Sequence, residues 1–159
     1  MHFFTIGVFN STEEEFFHKL IKNKIDHFCD IRQRRGVRGS KYSFVNSNKL
    51  QEKLAQLGIH YEYVSGLAPT QQIRDIQNKI DLDKHELKTE RKVLGKSFST
   101  EYKTRILNHF DFKSLLRNFE QLRSKRIVFF CVEEFATACH RSLVAEKLQD
   151  DFHLKLTNL

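Results

Sequence analysis

The sequence predicts an α/β domain whose central, mainly parallel sheet is flanked by helices. Three observations lead there. Short β-rich apolar runs alternate with helical periodicities through the first 64 residues, a long helical stretch follows, and a strand–helix–strand pattern closes the chain. At 159 residues, the chain is sized for a single domain spanning 1–159, with 70–125 as a mostly helical insertion between the third and fourth strands.

Each element has its own signal. Phe3 to Phe9 is a short apolar run that reads as the first strand. Ser11…Glu14 and Thr12…Glu15 both fit a capping box, and Phe16, Phe17, Leu20 and Ile21 then share one helical face. Ile25 to Ile31 reads as the second strand, with Asp30 near its end. A helix starting near Ser47 turns Leu50, Leu54 and Leu57 inward, and Gly58 stops it. Ile59 to Val64 is the third strand, and Gly66 with Pro69, the only proline, marks a break.

Within the insertion, Ile73, Ile76 and Ile80 share a face, as do Tyr102, Ile106 and Phe110. Phe112, Leu115, Leu116, Phe119 and Leu122 outline a further helix. Between the first two of these helices, Asp81 to Lys96 is so charged that a mobile connection is expected. Ile127 to Val132 is the fourth strand, 140–149 a helix and 153–157 a last short strand. Right-handed crossovers would bring the strand C-termini to one edge, where Asp30, Arg32 and the loop after Cys131 should meet although about 100 residues separate them.

Composition narrows the function classes. Hydrophobic residues make up 40% of the chain, 15 of them Phe, which is enough for an aromatic-rich core. Charged residues make up 30% and are well mixed, which argues against wholesale disorder. No apolar run approaches a membrane span, and Met1 to Ile6 has no basic leader, so a cytoplasmic protein without a membrane partner is expected. Three cysteines, Cys29, Cys131 and Cys139, imply reduced thiols. Their spacing gives little support to a metal: there is no CxxC pair, and seven residues separate Cys131 from Cys139, although His140 offers a third ligand. No metal or other cofactor is expected. The net charge of +7 favours polyanionic partners such as nucleic acid or a nucleotide.

The chemistry concentrates in three places. Cys139-His140-Arg141-Ser142 falls where a helix begins, and the free N–H groups there attract anions and acidify thiols. Cys139 is thus a possible thiolate, His140 a proton carrier and Arg141 an anion contact. In the alternative, Cys139 packs, His140 caps backbone and Arg141 pairs with Glu133 or Glu134. Rhodaneses and cysteine phosphatases place an arginine six positions after the strand-end cysteine. Here those positions hold Thr137 and Ala145, so that anion loop is not present in its usual form.

Asp30 and Arg32 alternate onto one side of an extended segment. They suit a general base, or an orienter of His140, beside an anion contact; equally, they suit a structural ion pair. The loop from Arg32 to Lys41 carries five basic residues, no acidic one and two glycines. Arg34, Arg35, Arg38 and Lys41 are its candidate nucleic-acid contacts, with Tyr42 and Phe44 as nearby stacking partners, although Phe44 also reads as a core anchor. A solvated loop is the other reading. Glu133 completes the candidate catalytic residues with Asp30 and His140.

In order along the chain stand Thr5-Ile6-Gly7…Asn10, Asp30-x-Arg32, Phe44 before a helix, Gly58-Ile59-x-Tyr61, Cys131-x-Glu133 and Cys139-His140-Arg141-Ser142. This pattern resembles the bacterial and archaeal family called domain of unknown function 488. The resemblance implies a compact parallel α/β fold and carries over Asp30, Arg32, Glu133, Cys139, His140 and Arg141 as the pocket. It implies no activity. Two positions depart from the family's usual wording: Val8-Phe9 stands where His-Ser often follows Gly7, and Leu67-Ala68-Pro69 replaces Leu-Gly-Gly. Three functions therefore compete. One is binding of a phosphate-bearing ligand through the arginine loop and the Cys-His-Arg helix start. The second is hydrolysis of such a ligand by Asp30, Glu133 and His140. The third is a non-catalytic module in which the polar motif only ties loop to helix.

Overall fold

The computed structural model describes residues 1–159. Five strands form one wholly parallel sheet: β1 (His2–Ile6), β2 (His27–Asp30), β3 (His60–Tyr63), β4 (Arg126–Phe130) and β5 (Lys155–Asn158), in the spatial order β3-β2-β4-β1-β5. Six helices accompany them: α1 (Glu13–Lys22), α2 (Ser47–Gln56), α3 (Gln71–Asp83), α4 (Lys96–Tyr102), α5 (Phe112–Gln121) and α6 (His140–Phe152). A π-helical turn, Lys103–Leu107, extends α4. None of these helices is long and apolar enough to cross a membrane.

The sheet divides two cores because its side chains alternate between faces. Phe4, Ile6, Phe28, Val128 and Phe130 meet Phe16, Phe17 and Leu20 of α1 and Leu50 and Leu54 of α2. Phe3, Cys29, Ile127 and Phe129 meet the other side, built from α3 to α6. Each fully buried Phe contributes roughly 1.5–3 kcal/mol over its exposed state. The inner strands β1, β2 and β4 are therefore buried on both faces, as a parallel sheet covered by helices requires, while the edge strands β3 and β5 are more polar and partly exposed.

Local signals explain the helix ends. Of the two possible capping boxes the chain uses Thr12…Glu15: the Thr12 hydroxyl accepts from the Glu15 N–H, and the Glu15 carboxylate accepts from the Thr12 N–H. Gly58 lies beyond α2 with φ +69, a conformation that costs glycine little. The first strand stops at Ile6 rather than Phe9, because the N–H groups of Val8 and Phe9 both turn to the Val132 carbonyl.

The charged stretch 81–96, expected as a mobile connection, is instead pinned. Leu94 N–H donates to the Thr137 carbonyl, the Thr137 hydroxyl donates to the Lys92 carbonyl, and Gly95 N–H donates to the Gln77 side chain. Arg91, in the middle of this stretch, is buried.

Candidate ligand cavity at the carboxyl edge of the sheet

Topology sets the position of the site. From β1 the chain winds outward through α1, β2, α2 and β3 on one face of the sheet; from β4 it leaves through α6 on the other. The loops after β4 therefore part from those after its neighbours β1 and β2, which opens a crevice at the carboxyl ends of these strands. A cavity of about 380 Å³ lies there, within the size range of small-molecule sites. Phe9 reaches it from the end of β1, Arg32, Arg34 and Arg38 from the loop after β2, and Cys131, Val132 and Glu133 from the end of β4. Cys139 and His140 line it from the start of α6.

One ring nitrogen anchors His140 to the backbone. Its Nε2 lies 3.0 Å from the Ile31 carbonyl oxygen, which can only accept, so Nε2 carries the hydrogen. Nδ1 then faces Cys131 Sγ and Cys139 Sγ, each at 3.8 Å. Asp30 does not orient this ring; the Ile31 carbonyl does. Cys139 is the N-cap of α6. Burial pushes its thiol up, but the Cys131 S–H, the His140 ring and the Arg141 guanidinium outweigh burial and hold Cys139 well below the ordinary thiol range. Cys131 moves the opposite way, raised by burial and then by the adjacent Cys139 sulfur. Burial pulls His140 down, yet the Cys139 sulfur reverses this and the ring ends above its ordinary value.

Asp30 and Arg32 form a closed pair. Asp30 Oδ1 accepts from Arg32 Nε at 2.9 Å and Oδ2 from Arg32 Nη2 at 2.7 Å. Oδ2 also accepts from the Tyr61 hydroxyl, whose pKa burial pushes up to about 12, so it keeps its proton. Asp30 is fully buried and sits behind the cavity wall; Arg32 is in the wall, and its Nη1 has no partner within the protein. The rest of the arginine loop splits. Arg34 and Arg38 line the cavity. Arg35 lies over the Tyr63 ring at 4.2 Å and Lys41 over Tyr42 at 5.1 Å, both outside it. Phe44 is a core residue, and Tyr42 packs on Phe9.

Glu133 is in the cavity wall, and Arg141 is behind it. Arg141 Nη1 and Nη2 donate to the backbone carbonyls of Glu133 (2.5 Å) and Glu134 (2.8 Å), so the guanidinium grips the loop's backbone rather than either carboxylate. The same Glu133 carbonyl lies against Gly7: a Cβ built there would stand 1.9 Å from it. Glycine is therefore required where β1 passes this loop.

The residue that sequence reasoning missed is Arg91. It donates to Asp81 Oδ2 (2.6 Å), Glu133 Oε1 (3.1 Å) and the Ala138 carbonyl (3.0 Å), tying α3, the Glu133 loop and the approach to α6 together. Nothing local marks it, because it sits in a run of mixed charge. Arg74 and Lys88, from the same insertion, also reach the cavity.

Two groups of side chains have metal-ligand composition. Cys131, Cys139 and His140 offer ligand atoms within 4.8 Å of one another, as do His27, Cys29 and Glu62. In the second group His27 Nδ1 bonds Ser124 Oγ and Nε2 bonds Glu62 Oε2, both at 2.9 Å, and none of the three residues lines the cavity.

These features define a parallel α/β domain with a basic, thiol-floored cavity at its carboxyl edge. The family model described as domain of unknown function DUF488 matches residues 12–148, most of the chain, and the protein belongs to that family. No curated protein and no solved structure matches the chain.

Proposed function

We propose that this protein binds a phosphate-bearing ligand of nucleotide size, free or at the exposed end of a nucleic acid, in the cavity at the carboxyl edge of the sheet. The supporting observation is charge: six cationic side chains, Arg32, Arg34, Arg38, Arg74, Lys88 and Arg91, line the cavity against a single carboxylate, Glu133. Asp30 offsets Arg32, and Asp81 and Glu133 offset Arg91. Arg34, Arg38 and Arg74 have no carboxylate partner and give the mouth its positive potential. The unpartnered Nη1 of Arg32 supplies a further donor in the wall. Phe9, Phe98 and Pro69 supply apolar surface for a sugar or base. Phe9 and Pro69 are among the residues that depart from the usual family wording. Three free cysteines favour a reducing compartment such as the cytoplasm.

Calorimetric titration with nucleoside mono-, di- and triphosphates, and with short single- and double-stranded DNA and RNA, tests this reading. Affinity should fall as salt rises, and Arg34→Ala/Arg38→Ala/Arg74→Ala should weaken binding by more than about tenfold through lost charge-assisted contacts. Arg35→Ala, outside the cavity, should leave it unchanged. No binding at low salt, or equal binding by the triple variant, would remove the proposal.

A further inference from the structure

We propose that Cys131, Cys139 and His140 form a zinc site whose fourth coordination position opens into the cavity. The sequence spacing argues against a metal; the fold reverses this by placing the end of β4 against the start of α6. A tetrahedral zinc with bonds of about 2.3 Å to sulfur and 2.05 Å to nitrogen needs sulfur and nitrogen about 3.6 Å apart. His140 Nδ1 already lies 3.8 Å from both sulfurs. The two sulfurs, within 4.8 Å of each other, need only a modest contraction toward the roughly 3.8 Å of such a site.

The histidine is also oriented as a metal ligand is. A ligating imidazole usually donates its other N–H to a carbonyl or carboxylate, which fixes the tautomer and points the lone pair at the metal. Here the Ile31 carbonyl takes Nε2–H, and Nδ1 faces the thiols. The His27 group, of similar composition, lacks the open side: none of His27, Cys29 and Glu62 lines the cavity, and the Nδ1 of its ring is bonded to the Ser124 hydroxyl.

Two thiolates and an imidazole favour zinc among the common divalent ions. Two thiolates also cancel the ion's double charge, which suits a buried position. Cys131, Cys139 and His140 all line the cavity, so three protein ligands with an open position is the arrangement of a zinc that meets a ligand rather than one closed for structure alone. Glu133, with Oε2 3.2 Å from Cys131 Sγ and Oε1 held by Arg91 and Lys88, is the carboxylate beside that open position.

The test is metal binding by the whole chain, untagged and reduced. Elemental analysis after zinc reconstitution and dialysis should give about one zinc per chain, the stoichiometry of a single site. X-ray absorption on the zinc form should show two sulfur ligands plus nitrogen or oxygen, a readout that needs no variant. Cobalt(II) in place of zinc should give thiolate charge-transfer bands and tetrahedral d–d bands. Cys131→Ser, Cys139→Ser and His140→Gln should each alter or abolish these bands, with folding checked by circular dichroism. Cys29→Ser and the triple arginine variant should keep them.

Substoichiometric zinc, an absorption spectrum without sulfur, or a cobalt spectrum unchanged in folded Cys139→Ser would overturn the site. A Cys131–Cys139 disulfide that persists in glutathione at cytoplasmic poise would overturn it as well. Loss of the metal proposal leaves anion binding by Arg34, Arg38 and Arg74 standing, and the reverse also holds.

Discussion

His27 opens β2 and His140 opens α6; both are buried, at opposite edges of the same sheet, yet the two edges treat them differently. At the amino edge His27 bonds Ser124 through one nitrogen and Glu62 through the other, and Cys29 beside it is an apolar core residue. At the carboxyl edge His140 keeps one nitrogen for a backbone carbonyl and turns the other toward two thiols in a cavity. At the same edge Arg32 and Arg141 each leave one buried nitrogen unpartnered. Similar residue types thus give a closed structural knot at one end and part of a cavity wall at the other. Ring tautomer and loop placement make the difference, more than composition does.

Substitutions at the two edges sharpen that contrast. The largest effect is expected at Gly7. Alanine there drives a Cβ into the Glu133 carbonyl, so either β1 or the loop gripped by Arg141 must move. Denaturant unfolding should show a loss of about 5 kcal/mol or more, the range of severe backbone overpacking. A near-native midpoint would mean the loop yields freely and that the Arg141 bonds to its carbonyls do not fix it.

Asp30→Ala comes next. It leaves the buried Arg32 guanidinium without its carboxylate, which should cost roughly 3–5 kcal/mol. Combining it with Arg32→Met should recover part of that loss. Failure to recover would show that Asp30 acts mainly through Tyr61.

His27→Gln should cost roughly 1–3 kcal/mol through unmet buried partners, measured by the same unfolding curves. It should leave both cobalt bands and anion affinity as they were. A change in either would erase the distinction between the two edges.

The smallest stability effect belongs to Arg34→Ala/Arg38→Ala, both exposed: within about 0.5 kcal/mol per site. Their effect should appear in anion affinity instead. A large shift in thermal midpoint would make them structural and count against a binding mouth.

The fold was legible where local chemistry fixes geometry. The Thr12…Glu15 box, the Gly58 stop and the apolar runs of β1, β2 and β4 each point to one local structure, and helices between parallel strands follow from right-handed crossover. The site was legible in part. Cys139, His140 and Glu133 do line the crevice, and Asp30 and Arg32 lie at the same edge. What escaped is decided by distance in space. Arg91 looks like one more charge in a charged run until α3 and the Glu133 loop close around it. Arg141 looks like an anion contact until the Glu133 and Glu134 carbonyls fold over it. The seven residues between Cys131 and Cys139 say nothing of the loop that brings their sulfurs together.

The bond from His140 to the Ile31 carbonyl joins residues 109 positions apart. The strands beside it are equally remote: β4 pairs with β1 and β2, and β5 pairs with β1. Loop-closure entropy must be overcome before any of these contacts forms, so folding should be slow for a chain of this size. During synthesis the amino-terminal strands emerge long before their partner β4 and before Cys131, Cys139 and His140. A chain halted before residue 140 would carry the arginine mouth and both thiols without His140 and α6. The cavity is therefore a late product of folding: its wall is shared by residues 9, 32–38, 69–98 and 131–140, and it takes shape only when segments that far apart have met.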